Sequence, residues 1–147
     1  MKAAIKSFVN KFTLKNFHRI YYDSRQQTWQ NTQWLGTKVL KCPLDLWIYQ
    51  EIIQETRPDI IVETGTCEGG SAHYLATMCD LVGNGQVISV DIERKSTFPT
   101  HKRINYLTGS STSEEITRQV RELVGDKKRV LVILDSDHSK AHVLREN

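Results

Sequence analysis

No run in the chain approaches the roughly 18 to 20 consecutive apolar residues that a membrane-spanning helix needs, so no transmembrane segment is expected. The N-terminus has neither the uninterrupted apolar stretch nor the small-residue cleavage site of a secretory signal. Cysteine is scarce. Cys42, Cys67 and Cys79 show no metal-ligand spacing and cannot all pair with one another, so free thiols in a cytoplasmic compartment are the expectation. Internal repeats and low-complexity stretches are also missing. The net charge is only +3, without the dense basic stripe of a nucleic-acid binder, so no nucleic-acid partner is expected.

What is present suits one soluble domain. The 147 residues can close one real core but not two, and 39% hydrophobic with 25% charged residues is ordinary for a globular protein. Lys2, Lys6, Lys11, Lys15 and Arg19 recur at near-helical spacing, with Ile5, Phe8, Val9, Phe12 and Phe17 between them. This is an amphipathic basic helix. Either its lysine face is simply solvated, or it makes a peripheral membrane or partner contact.

The pattern divides the chain in two. Residues 1–57 read as a helical and irregular cap segment, and residues 58–147 alternate strand and helix. Within the cap, the polar and aromatic run from Trp29 to Gly36 reads as an ordered loop, since tryptophans are rare in disordered segments. Pro43 opens a helix, because its missing N–H has no partner in a first turn anyway. Leu44, Trp47, Ile48, Ile52 and Ile53 keep helical spacing up to Glu55, and Pro58 ends it. In the second part, Ile60–Glu63, Gln86–Asp91, Arg103–Thr108 and Arg129–Asp135 read as strands. Helices are expected from Ser71 to Val82, from a cap at Ser111 or Ser113 to Gly125, and from His138 onward. Such alternation gives a parallel sheet with helices on both faces and right-handed crossovers.

Chemistry gathers at the ends of the expected strands. The run from Val62 to Ser71 carries the first strand into a helix, and its spacing is Glu-x-Gly-x-x-x-Gly. Gly65 allows a sharp turn, Gly69 and Gly70 a close backbone approach, Thr66 lies in the loop, and Ser71 stands at the helix entrance. The spacing departs from the Gly-x-Gly-x-x-Gly of dinucleotide sites. It suits the looser loop that cradles the methionine end of S-adenosyl-L-methionine, though a purely structural turn has the same glycines. Asp91 ends the second strand, 26 positions after Gly65, where a carboxylate accepts hydrogen bonds from ribose hydroxyls. A helix cap is its other reading, and Glu93 is a weaker competitor. Ser110, after the third strand, is the candidate for the adenine edge, with helix capping as the alternative. The fourth strand ends in Asp135-Ser-Asp137-His138, which points at the same crevice. This cluster offers a hard-cation ligand and a base, with Asp137 and His138 as the catalytic candidates. Asp137 can equally be a cap. His138 and His142, at i, i+4, lack further ligands for zinc.

The runs Trp34-Leu-Gly36, Lys41-Cys-Pro43, Trp47-Ile-Tyr49, Pro58 to Thr66, Gly69-Gly-Ser71, Ile88-Ser-Val-Asp91, Tyr106 to Ser111 and Leu134 to Ser139 follow one another in an order that resembles the cephalosporin hydroxylase family. That family also takes in rhamnosyl O-methyltransferases, and the resemblance covers roughly residues 30–147. It implies a Rossmann-like class I methyltransferase fold that binds S-adenosyl-L-methionine, with a magnesium ion as in the catechol and caffeoyl-CoA types of O-methyltransferase. By matching positions, Glu63, Gly65, Ser71 and Asp91 line the cofactor site and Asp135 is a magnesium ligand. No two-histidine, one-carboxylate set for iron stands out. Members of the family continue with further strands, including an acidic pair that completes the metal site. The chain is therefore expected to be a C-terminally truncated form of the fold.

The leading expectation is methyl transfer to a hydroxyl of a sugar, glycolipid or natural product, with a small-molecule or carbohydrate acceptor as partner and homo-oligomers admitted. A nicotinamide-dependent oxidoreductase and a non-catalytic module binding through Phe8, Phe12 and the Trp29–Trp34 segment are the competing readings. Val130 to Leu134 is wholly apolar, so an open outer edge there is expected to make the chain poorly soluble alone.

Overall fold

A computed structural model describes residues 2–146, with side chains for residues 10–146. The side chains of Lys2, Ile5, Lys6, Phe8 and Val9 lie outside the described residues, so the basic face of the first helix is seen only from Lys11 onward. That helix, α1 (Lys2–Asp23), exposes Phe12, Phe17 and Ile20 to solvent. No helix among the described residues is long and apolar enough to cross a membrane. Thr28 donates its hydroxyl to the Tyr21 carbonyl and ties off the C-terminal end of α1.

The Trp29–Gly36 run is more regular than the ordered loop expected. A 3-10 turn (Trp29–Asn31) leads into an antiparallel hairpin, β1 (Thr32–Trp34) and β2 (Thr37–Val39). Leu35 and Gly36 form the two-residue turn, both with positive φ (47° and 81°), as tight hairpin turns favour. The leucine masked the signal, since this position usually carries asparagine, aspartate or glycine. Helix α2 (Pro43–Thr56) starts on its proline and closes at Arg57, whose N–H donates to the Ile53 carbonyl at 2.9 Å.

The remaining strands form one parallel sheet: β3 (Ile60–Thr64), β4 (Gln86–Asp91), β5 (Ile104–Thr108) and β6 (Val130–Leu134), in spatial order β5-β4-β3-β6. Every residue of β3 is buried, as a central strand covered on both faces requires. Alternation sorts its side chains. Ile61 joins Ile53, Leu75, Val87 and Ile133 on the face covered by α2 and α3 (Gly70–Val82). Ile60 and Val62 join Ile88, Val90 and Ile116 on the face covered by α4 (Glu114–Val124). Trp34, Leu46 and Tyr49 pack against the first cluster, so the hairpin and α2 share the sheet's core. Ser113, one of the two caps expected, accepts from the Ile116 N–H at 3.3 Å. The last helix, α5 (Lys140–Glu146), begins two residues later than expected, because Ser139 caps it by accepting from the His142 N–H.

The chain runs outward from β3 to β4 and β5, then returns to lay β6 on the other side of β3. Between β3 and β6 the winding reverses. In open parallel sheets the crevice beyond the strand tips at such a reversal is where ligands bind.

Candidate cofactor and acceptor site

The loop from β3 to α3 reaches that reversal. Gly65 has φ +91°, and a methyl on its Cα would stand 2.2 Å from the Asp135 carbonyl oxygen. Only glycine lets the β3 loop pass so close to the tip of β6. Gly70 is equally constrained, since its Cβ would meet the Lys38 carbonyl of the hairpin at 2.2 Å. Cys67 takes a left-handed φ of 53° and aims its N–H at Asp91 Oδ2, 2.8 Å away. The Glu93 N–H reaches Asp91 Oδ1 at 3.2 Å. Two backbone donors thus fix the carboxylate at the tip of β4. Beside it opens a cleft of about 470 Å³, lined among others by Gly65, Asp91, Gly109, Ser111 and Asp135.

Glu63 points to the α3 face and is completely buried. Its Oε2 accepts from the Ser89 hydroxyl at 2.8 Å, and Ser89 shares a 2.7 Å hydrogen bond with Thr66. Glu63 Oε1 has no partner among the described residues. Burial pushes the carboxyl up to about 6, although the Ser71 and Ser89 hydroxyls and the Lys41 ammonium oppose the rise. A smaller cleft of about 170 Å³, whose walls include Lys41, Gly65, Thr66, Ser71 and Asp135, shares Gly65, Cys67 and Asp135 with the larger one.

Asp135, at the tip of β6, is ion-paired with Lys41, which follows β2. Burial lowers the tendency of Lys41 to hold its proton, but the Asp135 carboxylate outweighs it and raises the ammonium above its ordinary value. Lys41 Nζ also lies 5.7 Å from the centre of the Tyr49 ring. His138 Nε2 stands 3.5 Å from the other carboxylate oxygen of Asp135, with its ring mostly in solvent. Asp137 lines the larger cleft and accepts from the Ser139 N–H at 2.8 Å.

Most of the residues expected at the site converge, with three corrections. Ser110 does not line the cleft, because its hydroxyl turns to Thr112 at 3.0 Å; its neighbour Ser111 lines it instead. Gly69 lines neither cleft and serves as the left-handed residue before α3, while Gly70 reaches the smaller one. Glu63, also expected to line the cofactor site, is fully buried and lines neither cleft. His142 Nε2 faces Glu146 at 3.3 Å and the hydroxyls of Ser111 and Ser136 at 3.1 and 3.2 Å. Sequence reasoning gave no role to Lys41, Ser89 or Glu146. The contacts of Lys41 and Ser89 span 94 and 26 positions, so no local spacing signals them.

Known proteins resemble the chain in sequence and fold. The family model described as Rhamnosyl O-methyltransferase/CmcI matches residues 26–147. The rhamnosyl O-methyltransferase of Mycobacterium leprae is 37% identical over 136 residues, covering 90% of this chain and 58% of the relative. That of Mycobacterium tuberculosis is 35% identical over 137 residues, covering 90% and 55%. The chain thus spans a little over half the length of the curated relatives it matches. Among solved structures, a CmcI apo structure superposes with a TM-score of 0.66 at 25% identity, over 76% of this chain and 48% of that one. A CmcI structure with magnesium and S-adenosylmethionine gives 0.61 at 22% identity, over 79% and 50%. By the match of the family model across hairpin, glycine loop and strand tips alike, the chain belongs to the Rhamnosyl O-methyltransferase/CmcI family.

Proposed function

We propose that the chain binds S-adenosyl-L-methionine at the β3–β6 reversal and serves methyl transfer to a hydroxyl of a carbohydrate or small-molecule acceptor. The observation that carries this reading is Asp91, held by the N–H groups of Cys67 and Glu93 at the mouth of the 470 Å³ cleft. An ionised carboxylate accepts only, and two backbone donors leave it free lone pairs for both hydroxyls of a ribose. The volume lies within the roughly 300–1,000 Å³ of small-molecule sites. The smaller cleft, with Ser71 on its wall and Glu63 Oε1 unpartnered nearby in the fold, suits the charged amino-acid end of the cofactor.

When bound, the cofactor supplies an activated methyl group: the acceptor oxygen bonds to the methyl carbon, the carbon–sulfur electron pair returns to sulfur, and the hydroxyl proton leaves to a base. Of the two catalytic candidates, His138 is the better base. The backbone N–H of Ser139 holds the Asp137 carboxyl below its usual value, which weakens its pull on a proton. His138 is open to solvent and stands 3.5 Å from Asp135, so an imidazole there can pass a proton from the acceptor to water.

Magnesium enters this reading through the CmcI structure that contains it, with Asp135 as the ligand this chain supplies. Magnesium wants several oxygen ligands. Here Lys41 holds the Asp135 carboxylate, and among the described residues no three His, Cys, Asp or Glu side chains come together as a metal site.

Calorimetry with S-adenosylhomocysteine tests the proposal. Asp91→Ala is expected to weaken binding by about tenfold or more, the equivalent of ~1.4 kcal/mol. Equal affinity in both proteins removes Asp91 from the site. Binding of NADH in place of S-adenosylhomocysteine would return the protein to the oxidoreductase reading.

A further inference from the structure

Asp135 lines both clefts described above and also a third cavity, of about 330 Å³, between the N-terminal segment and the tip of β6. The sheet fixes its place. Its N–H donates to the Thr64 carbonyl at 3.0 Å, and its own carbonyl stands against Gly65. Oδ2 of its carboxylate is taken by the Lys41 ammonium, and Oδ1 stands 3.5 Å from His138 Nε2.

A CmcI structure holds magnesium, and Asp135 is the carboxylate this chain would offer such an ion. The donors around it do not fit one. The neighbouring carboxylates have partners of their own: Asp91 the N–H groups of Cys67 and Glu93, Asp137 that of Ser139, and Glu68 the Lys95 ammonium. Among the described residues no three His, Cys, Asp or Glu side chains come together to hold a metal.

We infer that Lys41 is the resident cation at the tip of β6: its ammonium and a divalent ion exclude one another at Asp135, and the chain binds S-adenosyl-L-methionine without the ion. The exclusion stands on the geometry alone, and the second half rests on the cofactor reading above.

Charge is the first reason. Magnesium binds through carboxylates whose charge is unbalanced and fills its other positions with water. Asp135 carries one negative charge, and Lys41 already balances it. An ion on the same carboxylate would share it with a fixed positive charge, and the repulsion between the two grows as water leaves the cleft.

The second reason is how Lys41 is built in. A surface lysine swings aside at little cost, but the Lys41 side chain is only 10% exposed. Its Nζ lies 5.7 Å from the centre of the Tyr49 ring, a further attraction for the ammonium. The segment that carries it is short and held at both ends, by the buried Val39 that closes β2 and by Pro43 that opens α2. An ion that displaced Lys41 would leave a buried ammonium without its counter-charge. A built-in ammonium holds the Asp135 carboxylate permanently, whereas a dissociable ion holds it only when bound.

Manganese EPR on the full chain without cofactor tests the exclusion, since carboxylate oxygens that take magnesium also take manganese. Lys41→Met is expected to bind Mn2+ about tenfold or more tighter than the wild type, with magnesium competing. Adding Asp135→Asn to that variant should abolish the gain. Equal Mn2+ affinity in the wild type and Lys41→Met overturns the inference, and so does a gain that survives Asp135→Asn. Calorimetry with S-adenosylhomocysteine on the wild type needs no variant, so it decides even where Lys41→Met is too unstable to titrate. Equal affinity in magnesium and in EDTA is the expected result. A rise of about tenfold or more with magnesium overturns the inference and leaves the cofactor reading standing. No binding in either buffer overturns the cofactor reading and ion-free cofactor binding with it, while the manganese titration still judges the exclusion.

Discussion

Glu63 shows what one residue contributes when burial and function pull apart. Its side chain is fully buried, and its carboxyl is pushed up to about 6 from an ordinary 4.5. An acid whose folded-state pKa is raised binds more protons in the native state than in the unfolded state. Its ionisation therefore destabilises the fold as pH rises through the interval between those two values, by about 2 kcal/mol once pH exceeds 6. Thermal melts of the wild type should lose stability between pH 4.5 and 6 through this group, and Glu63→Gln should flatten that part of the profile. A profile of the same shape in both proteins excludes Glu63 as its source. Glu63, Gly65 and Asp91 were legible in the sequence because a strand, its glycine loop and the next strand tip hold them within a short stretch. The position of Ser110 against Ser111 was not. The direction of a hydroxyl in a short turn depends on a local hydrogen bond, here with the Thr112 hydroxyl, that residue type alone does not reveal.

At the scale of elements, the Lys41–Asp135 pair joins the segment between hairpin and α2 to the tip of β6. Lys41 is mostly buried and Asp135 about a third exposed, with side-chain accessibilities of 10% and 35%. Breaking a fully buried pair costs ~3–5 kcal/mol, because one charge is left without its partner. Solvent screening at Asp135 reduces that, so Lys41→Met is expected to cost about 1–2 kcal/mol. Asp135→Asn should recover part of the loss in the double variant, and denaturant unfolding of the four proteins gives the coupling. Strict additivity would mean that the two side chains do not interact. The parallel strands and the helices that cover them were readable from their apolar periodicity and their caps. The hairpin was not, because Leu35 occupies a left-handed turn position and three-residue strands are too short to show alternation.

Across the whole molecule, the sheet ends on its most apolar strand. β6 pairs with β3 alone, and its outer edge carries no strand among the described residues. Val130 and Val132 are exposed on one face, Val132 at 53%. A flat apolar strand with unpaired N–H and C=O groups is a template for another copy, and natural edge strands are blunted by lysine or proline where they must stay free. β6 has neither within Val130–Leu134. The chain alone should therefore self-associate through this edge, with light scattering showing species larger than a monomer that grow with concentration. Val132→Lys places a charge on the exposed face without touching Ile133, which is in the core, and should shift the population toward monomer. The same variant should keep its affinity for S-adenosylhomocysteine, since Val132 lines none of the three cavities. A monodisperse, cooperatively melting wild-type monomer would show that the unpaired edge of β6 does not template association.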